Sequence, residues 1–244
     1  MRYIMKTQIN KGFTNISFRD GDVFIQQKMY NGFNHHLDYN LIQKFNFVPR
    51  LLEATNEYTK WEFIEGDEPV ICLDNVELLA KQILEIHKSN IKFPPSNHAA
   101  RIKKYRQDLK KFGRRVKVLD DFYRPVNQTL AKMSKNTPLH NDLWPFNMIS
   151  KDNKIYFVDW EYACMGDKHF ELAYVIEATR ITGECEKLFL KTYGEYNPLF
   201  LLRHKILVNY LVVLWANAQE NIPFDTTPFE QKIYELDKQL KEMY

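Results

Sequence analysis

The chain has 244 residues, 45% of them hydrophobic, with a formal net charge of +3. That length and apolar content suit one large domain or two lobes over a shared core, and they exclude wholesale disorder. So small a positive charge speaks against a nucleic-acid binder, and the one dense basic run, Arg101 to Arg115, reads as the solvated face of a helix.

Cys72, Cys164 and Cys185 are odd in number and far apart, which argues against a disulfide framework or a zinc site and makes a reducing cytoplasm the expected location. The opening MRYIMKTQINKGF lacks the apolar core of a signal peptide. The most apolar segment near the C-terminus, Ile206 to Ala218, is interrupted by Asn209 and Asn217. It predicts a buried helix and no membrane insertion.

In chain order, Lys6 to Phe18 offers two short extended runs around Lys11-Gly12-Phe13-Thr14-Asn15, and Asp20-Gly21-Asp22 signals a tight turn. Val23 to Met29 reads as a third strand and Asn31-Gly32 as a second turn, with His35-His36 in a surface turn. A helix over His36 to Asn46 and strands over Val48 to Glu53 and Lys60 to Ile64 follow. Beyond Gly66 the pattern turns helical. Asn75 to Ser89 sets Val76, Leu79, Ile83 and Ile86 on one face, with Asn75 or Asp74 as N-cap. Ala99 to Phe112 and Leu119 to Met133 are further helices, Lys154 to Trp160 is a strand ending on an acid, and the chain after Phe170 is mostly helix. The expected architecture is α+β: a small β-rich lobe over residues 1–66, including a hinge near Glu62 to Gly66, and a larger helical lobe over 67–244. A cleft between such lobes is a common ligand site.

The chemistry concentrates in LHNDLWPFNMI, Leu139 to Ile149. His140 to Asn147 fits H-x-D-L-x-x-x-N, and twelve residues past Asn147 an apolar strand ends in Asp159. Phosphoryl transfer needs a carboxylate to orient the attacking hydroxyl and accept its proton, and hard oxygens to hold Mg²⁺ on the nucleotide phosphates. Asp142 fits the first role. Asn147 and Asp159 fit the second, because a loop and the next strand can bring both to one ion. His140 is read as a brace for the loop.

These motifs, with IYFVDWEYACMGDKHFELA from Ile155 to Ala173, resemble the choline/ethanolamine kinase branch of the aminoglycoside-phosphotransferase-like kinases, nearest to the bacterial choline kinases. KGFTN (Lys11 to Asn15) resembles that family's phosphate loop, EFIEG (Glu62 to Gly66) its hinge, and LLAKQILEIHKS (Leu78 to Ser89) the first helix of its large lobe. The resemblance implies a bilobal protein-kinase-like fold, ATP with Mg²⁺, and a small amino alcohol as acceptor. By the matched motif, Asp142 is the catalytic base and Asn147 and Asp159 are the metal ligands. Backbone amides of Gly12, Phe13, Thr14 and Asn15 meet the phosphates, and the backbone of Glu62, Phe63 and Ile64 meets the adenine. There is no D-F-G and no A-P-E, so an ordinary protein kinase is not expected.

The sequence departs from the family in two places. The third strand needs a cation for the phosphates, and alternation puts Phe24, Gln26 and Lys28 on one face. Lys28 is the candidate, with Gln26 as the alternative and Asp38 as its acidic partner. The acceptor pocket calls for aromatic faces and carboxylates around an ammonium, which points to Trp160, Glu161, Tyr162 and Trp215. A tryptophan the family places three residues before Trp215 is Val212 here. Asp167 reads as a helix N-cap and Glu171 as a first-turn acid, both structural, and His87 and His169 as packing residues. Choline is the leading acceptor. Ethanolamine and an aminoglycoside are the alternatives within the chemistry, and an inactive nucleotide-binding scaffold is the alternative outside it.

Overall fold

The computed structural model describes residues 6–9, 12 and 14–243; Lys11 and Phe13 of the phosphate-loop motif lie outside them. Five antiparallel strands form the N-terminal sheet: β1 (Thr7–Ile9), β2 (Ile16–Asp20), β3 (Val23–Gln27), β4 (Leu51–Ala54) and β5 (Tyr58–Glu62), in spatial order β1-β2-β3-β5-β4. The β2–β3 hairpin closes on Asp20 opposite Val23, and Gly21 takes φ 60° there, a conformation a side chain resists. The predicted helix over His36 to Asn46 shrinks to a 3-10 turn, Tyr39–Lys44, whose N-cap is Asp38.

The hinge runs against β7 (Met148–Lys151), which pairs with β8 (Lys154–Phe157). Asp67 and Ser150 exchange backbone hydrogen bonds, and a Cβ on Gly66 would stand 2.4 Å from the Ser150 carbonyl oxygen. Glycine is therefore required at that close approach.

The helical part holds α1 (Val76–Lys88), α2 (His98–Lys111), α3 (Lys117–Asp121), α4 (Tyr123–Lys132), α5 (Lys168–Thr179), α6 (Gly183–Tyr193), α7 (Pro198–Asn217) and α8 (Thr227–Glu242). The predicted face of α1 is buried as expected, and α1 packs on α6. Its cap differs: Asn75 precedes the helix, but its side chain accepts from the Cys72 N–H and donates to the Val70 carbonyl. The single helix expected from Leu119 to Met133 is two, because Pro125 has no N–H for the i−4 bond and its ring would press on the Asp121 carbonyl. The apolar helix α7 is long and apolar enough to cross a membrane by length and composition, yet it lies against α5 and α8 with its side chains mostly buried. The short strands β6 (Thr137–Leu139) and β9 (Cys164–Gly166) pair with each other and frame the loops between them.

Candidate active site

The strands β6, β7, β8 and β9 leave two loops facing one another. The first carries Asp142 and ends in a 3-10 turn, Pro145–Asn147; the second carries Asp159 and a 3-10 turn, Trp160–Tyr162. Val158 donates its N–H to the Asn147 carbonyl at 3.0 Å, and His140 Nε2 donates to the Val158 carbonyl at 2.9 Å. His140 is fully buried with its ring centre 4.4 Å from that of Trp160, tilted to it by 46°, and burial holds its pKa down at about 4, so it is a neutral brace between the loops. Each loop also has a residue in the left-handed region: Asn141 at φ 70° and Asp159 at φ 61°. Asn and Asp tolerate that region better than most residues.

Asn141 is held from every side. Its N–H donates to Glu171 Oε1 at 2.6 Å, its Nδ2 donates to the Tyr162 carbonyl, and its Oδ1 accepts from His98 Nε2 at 2.8 Å. Glu171 is fully buried and its other oxygen meets His87 Nε2 at 2.7 Å, while His87 Nδ1 meets the Tyr193 hydroxyl. Glu171 thus does more than face a helix dipole, and His87 has partners the sequence did not reveal. Such fixed supports are what hold a loop conformation that is locally unfavourable.

Both oxygens of Asp142 accept hydrogen bonds. Tyr174 donates its hydroxyl to Oδ1 at 2.6 Å, and Asn147 Nδ2 donates to Oδ2 at 3.1 Å and to the Asp142 carbonyl at 2.8 Å. Trp144 Nε1 donates in turn to the Tyr174 hydroxyl. Burial raises the Asp142 pKa to about 6 against the pull of Tyr174 and Arg101. Asp159 is raised well above the ordinary carboxylate range, first by burial and then by the charges of Glu161 and Asp142. A divalent cation would relieve that crowding. Asn147 and Asp159 suit Mg²⁺, which takes few protein ligands and completes its shell with phosphate and water oxygens. Among the described residues there is no cluster of three or more His, Cys, Asp or Glu for an all-protein cage.

Glu161 is a junction. Thr14 Oγ1 donates to it at 2.6 Å, Asn15 Nδ2 at 2.9 Å and Asn34 Nδ2 at 2.8 Å, and His35 Nε2 lies 2.9 Å away. Burial pushes this carboxylate up, but the donors His35, Thr14 and Asn15 outweigh it and hold the pKa below the usual range. Side chains just before β2 and the segment after β3 therefore converge two residues past Asp159. His35 is buried, not in a surface turn as the sequence suggested, and its Nδ1 meets the Tyr39 hydroxyl at 2.8 Å.

Several sequence expectations need correction. The strand β3 ends at Gln27, so Lys28 lies past it. Its Nζ donates to the Thr55 carbonyl at 2.6 Å, whereas buried Gln26 donates Nε2 to Asp159 Oδ1 at 3.0 Å. Gln26, not Lys28, holds the inner position. Asp38 caps the 3-10 turn by accepting from the Asn40 N–H and is exposed. Trp160 is 2% exposed and stacks on Phe45, so it is core rather than pocket wall, and Glu161 is spent on the four donors above. Tyr162 receives a hydrogen bond from Asn31 at 2.7 Å and carries Arg101 over its ring. Trp215 stacks on Phe224 at 6.2 Å, which in turn lies beside Phe229 of α8. Asp167 caps α5 as expected, accepting from the His169 N–H, and it also accepts from the Ser134 N–H. At the hinge, the Glu62 N–H goes to the Arg50 carbonyl and the Phe63 N–H to the Asp22 carbonyl; the Ile64 N–H has no partner among the described residues. Gly12 has φ 101° and open space around its Cα.

The arrangement of one hydrogen-bonded carboxylate, one Asn and one further Asp can orient a hydroxyl beside a metal-bound phosphate. The whole chain is similar to known proteins. The chain is 48% identical over 94% of its length to a protein LicA homolog of Mycoplasma capricolum, covering 96% of that protein. It is 39% identical over 98% of its length to another protein LicA homolog, from Metamycoplasma hominis, covering 98% of it. Among solved structures, choline kinase LicA from Streptococcus pneumoniae superposes with a TM-score of 0.74 at 18% identity, covering 98% of this chain and 94% of that one. A choline/ethanolamine kinase family protein from Mesorhizobium loti gives 0.74 at 19% identity, covering 98% of this chain and 88% of that one. The resemblance read from the motifs is borne out, as is the bilobal α+β fold. The profile of the APH phosphotransferase enzyme family matches residues 35–201, and this chain belongs to that family.

Proposed function

We propose that the chain is an ATP-dependent kinase that phosphorylates the hydroxyl of a small amino alcohol, with choline as the preferred acceptor. Residues 1–66 form the nucleotide lobe and 67–244 the catalytic and acceptor lobe. Asp142 orients the acceptor hydroxyl and takes its proton, held in register by Tyr174 and Asn147. Asn147 and Asp159 would hold Mg²⁺, which would neutralise negative charge on the phosphate oxygens during transfer. Gln26 fixes the Asp159 carboxylate, the Ile64 N–H receives the adenine, and Gly12, Thr14 and Asn15 approach the phosphates. The observation that carries the reading is Asp142: a half-buried carboxylate, raised to about 6, with both oxygens aligned by donors. A general base works best with a pKa near the working pH.

Choline is favoured by the relatives, since two LicA homologs match nearly end to end and the pneumococcal LicA is a choline kinase. Ethanolamine is the second reading, favoured by the burial of Trp160 and the packing of Trp215 on Phe224, which take two indoles away from a cation box. The test is ADP release from Mg-ATP with choline, ethanolamine and an aminoglycoside in parallel, with Asp142→Asn as control. Turnover with choline that vanishes in the variant supports the reading. Nucleotide binding without turnover on any acceptor overturns it in favour of an inactive scaffold.

A further inference from the structure

One charged side chain beside Asp142 has no role in the chemistry so far. His98 and Arg101 stand one turn apart on the same face of α2. His98 Nε2 touches Asn141, the neighbour of Asp142, and one turn further along that face Arg101 is near enough for its charge to act on the carboxylate. The guanidinium lies 4.6 Å from the centre of the Tyr162 ring and 5.8 Å from that of Tyr105. Its Nε is shut off from solvent and has no hydrogen-bond partner. The charges of Arg101 and Asp142 act on each other, yet no carboxylate among the described residues forms an ion pair with Arg101.

A cation placed on tyrosine faces with a buried donor unmet is costly unless something completes it. The basic neighbours on α2 differ: Arg106 meets Asp120 at 3.1 Å and Lys104 is paired with Asp108. What reaches the space beside Asp142 during the reaction is the phosphoryl group. Guanidinium is a planar fork of donors suited to phosphate oxygens, and donors fixed where negative charge gathers stabilise the transition state.

We propose that Arg101 is a catalytic residue that binds the transferring phosphoryl group from the acceptor side of the site, and then the phosphomonoester product. In that step the acceptor oxygen forms a bond to the γ-phosphorus and the bond from phosphorus to the β-bridging oxygen breaks. The bridging electron pair leaves with ADP, and the acceptor proton passes to Asp142. Arg101 stays protonated throughout and donates to the non-bridging oxygens. The inference rests on the kinase reading above.

The test is Arg101→Met and Arg101→Lys beside the wild type, with choline, ethanolamine and 3,3-dimethyl-1-butanol, the uncharged isostere of choline. ADP affinity and thermal midpoint report folding. Arg101→Met lowers kcat by about 100-fold or more for all three acceptors. Arg101→Lys loses at least about tenfold, because a point charge replaces a fork. O-phosphocholine, titrated calorimetrically in the presence of Mg-ADP, binds at least about tenfold more weakly to both variants, and added guanidinium ion partly restores turnover to a third variant, Arg101→Ala. The loss persists on the alkaline plateau of the pH profile. A loss that disappears at high pH would mean that Arg101 only keeps Asp142 ionised, and would overturn the proposal. So would a kcat within threefold of wild type in a folded variant, or a rise in choline turnover relative to the isostere, which would make Arg101 a like-charge gate. A wild type with no turnover on any acceptor overturns the kinase reading and this inference with it.

Discussion

Tyr174→Phe removes one hydroxyl, and its effect on rate is a function of pH. The hydroxyl donates to Asp142 Oδ1 at 2.6 Å and holds that carboxylate toward its ionised form. A hydrogen bond to a charged group contributes about 1.5–3 kcal/mol, and about 1.4 kcal/mol corresponds to one pKa unit. Losing it therefore raises the acid limb of kcat/KM by about one to two units. The base works deprotonated, so raising its pKa moves the limb to higher pH and costs activity at neutrality. A carboxyl at about 6 is about nine-tenths ionised at pH 7, and one shifted to about 7.5 is about one-quarter ionised. The variant should be about fourfold slower at pH 7 and near wild type at pH 9. The assay is coupled ADP release at low acceptor across pH 5.5–9.5, with Trp144→Phe as control, since Trp144 touches the hydroxyl but not the carboxylate. A loss of equal size at every pH would show that Tyr174 acts through geometry and not through the ionisation of Asp142.

Gln26→Ala frees Asp159 Oδ1 and should raise the KM for ATP by about tenfold, the worth of one hydrogen bond to a charged group. Lys28→Ala, cut off from the site at Thr55, should change it by less than about twofold; equal effects in steady-state kinetics with ATP varied would reverse the assignment. Glu171→Ala strands the Asn141 N–H and His87, two buried donors, and should lower the melting temperature by about 5–10 °C in calorimetry. An unchanged midpoint would show that the loop holds Asn141 at φ 70° without this support. Gly66→Ala places a Cβ 2.4 Å from a backbone oxygen that cannot rotate away. It should destabilise the protein by about 2 kcal/mol or more in urea unfolding, whereas Gly194→Ala, with open space but φ 101°, should cost about 1–2 kcal/mol of backbone strain alone.

The parts legible in the sequence are those whose geometry is local. That Asp142, Asn147 and Asp159 lie near one another is legible because one loop and one strand bring them together over a short stretch. The face of α1 was found because burial repeats with the helix. Where the reading failed, the deciding contact lay far along the chain. Lys28 and Gln26 share a strand face by alternation, and only the end of β3 at Gln27 separates their fates. Trp160 follows a metal-type acid and looked like a pocket wall, but the left-handed turn at Asp159 sends it inward onto Phe45 and His140. His35 looked like a surface residue because its partners Glu161 and Tyr39 are not visible in its neighbours. No periodicity marks Tyr174 either, although it sits one turn beyond Glu171 on α5, and that spacing puts both on the face turned to the Asp142 loop.

The burial of Glu161 has a mechanical consequence. One carboxylate gathers Thr14 and Asn15 from the segment before β2, Asn34 and His35 from the segment after β3, and stands two residues from Asp159. Gln26 of β3 reaches Asp159 itself. The N-terminal sheet is therefore tied to the Asp159 segment at two points, and Asp67 pairs with Ser150 at a third. Rigid-body opening of the lobes would have to break a set of buried, charge-assisted bonds at Glu161, each stronger than a neutral bond. Opening at the hinge alone is thus disfavoured.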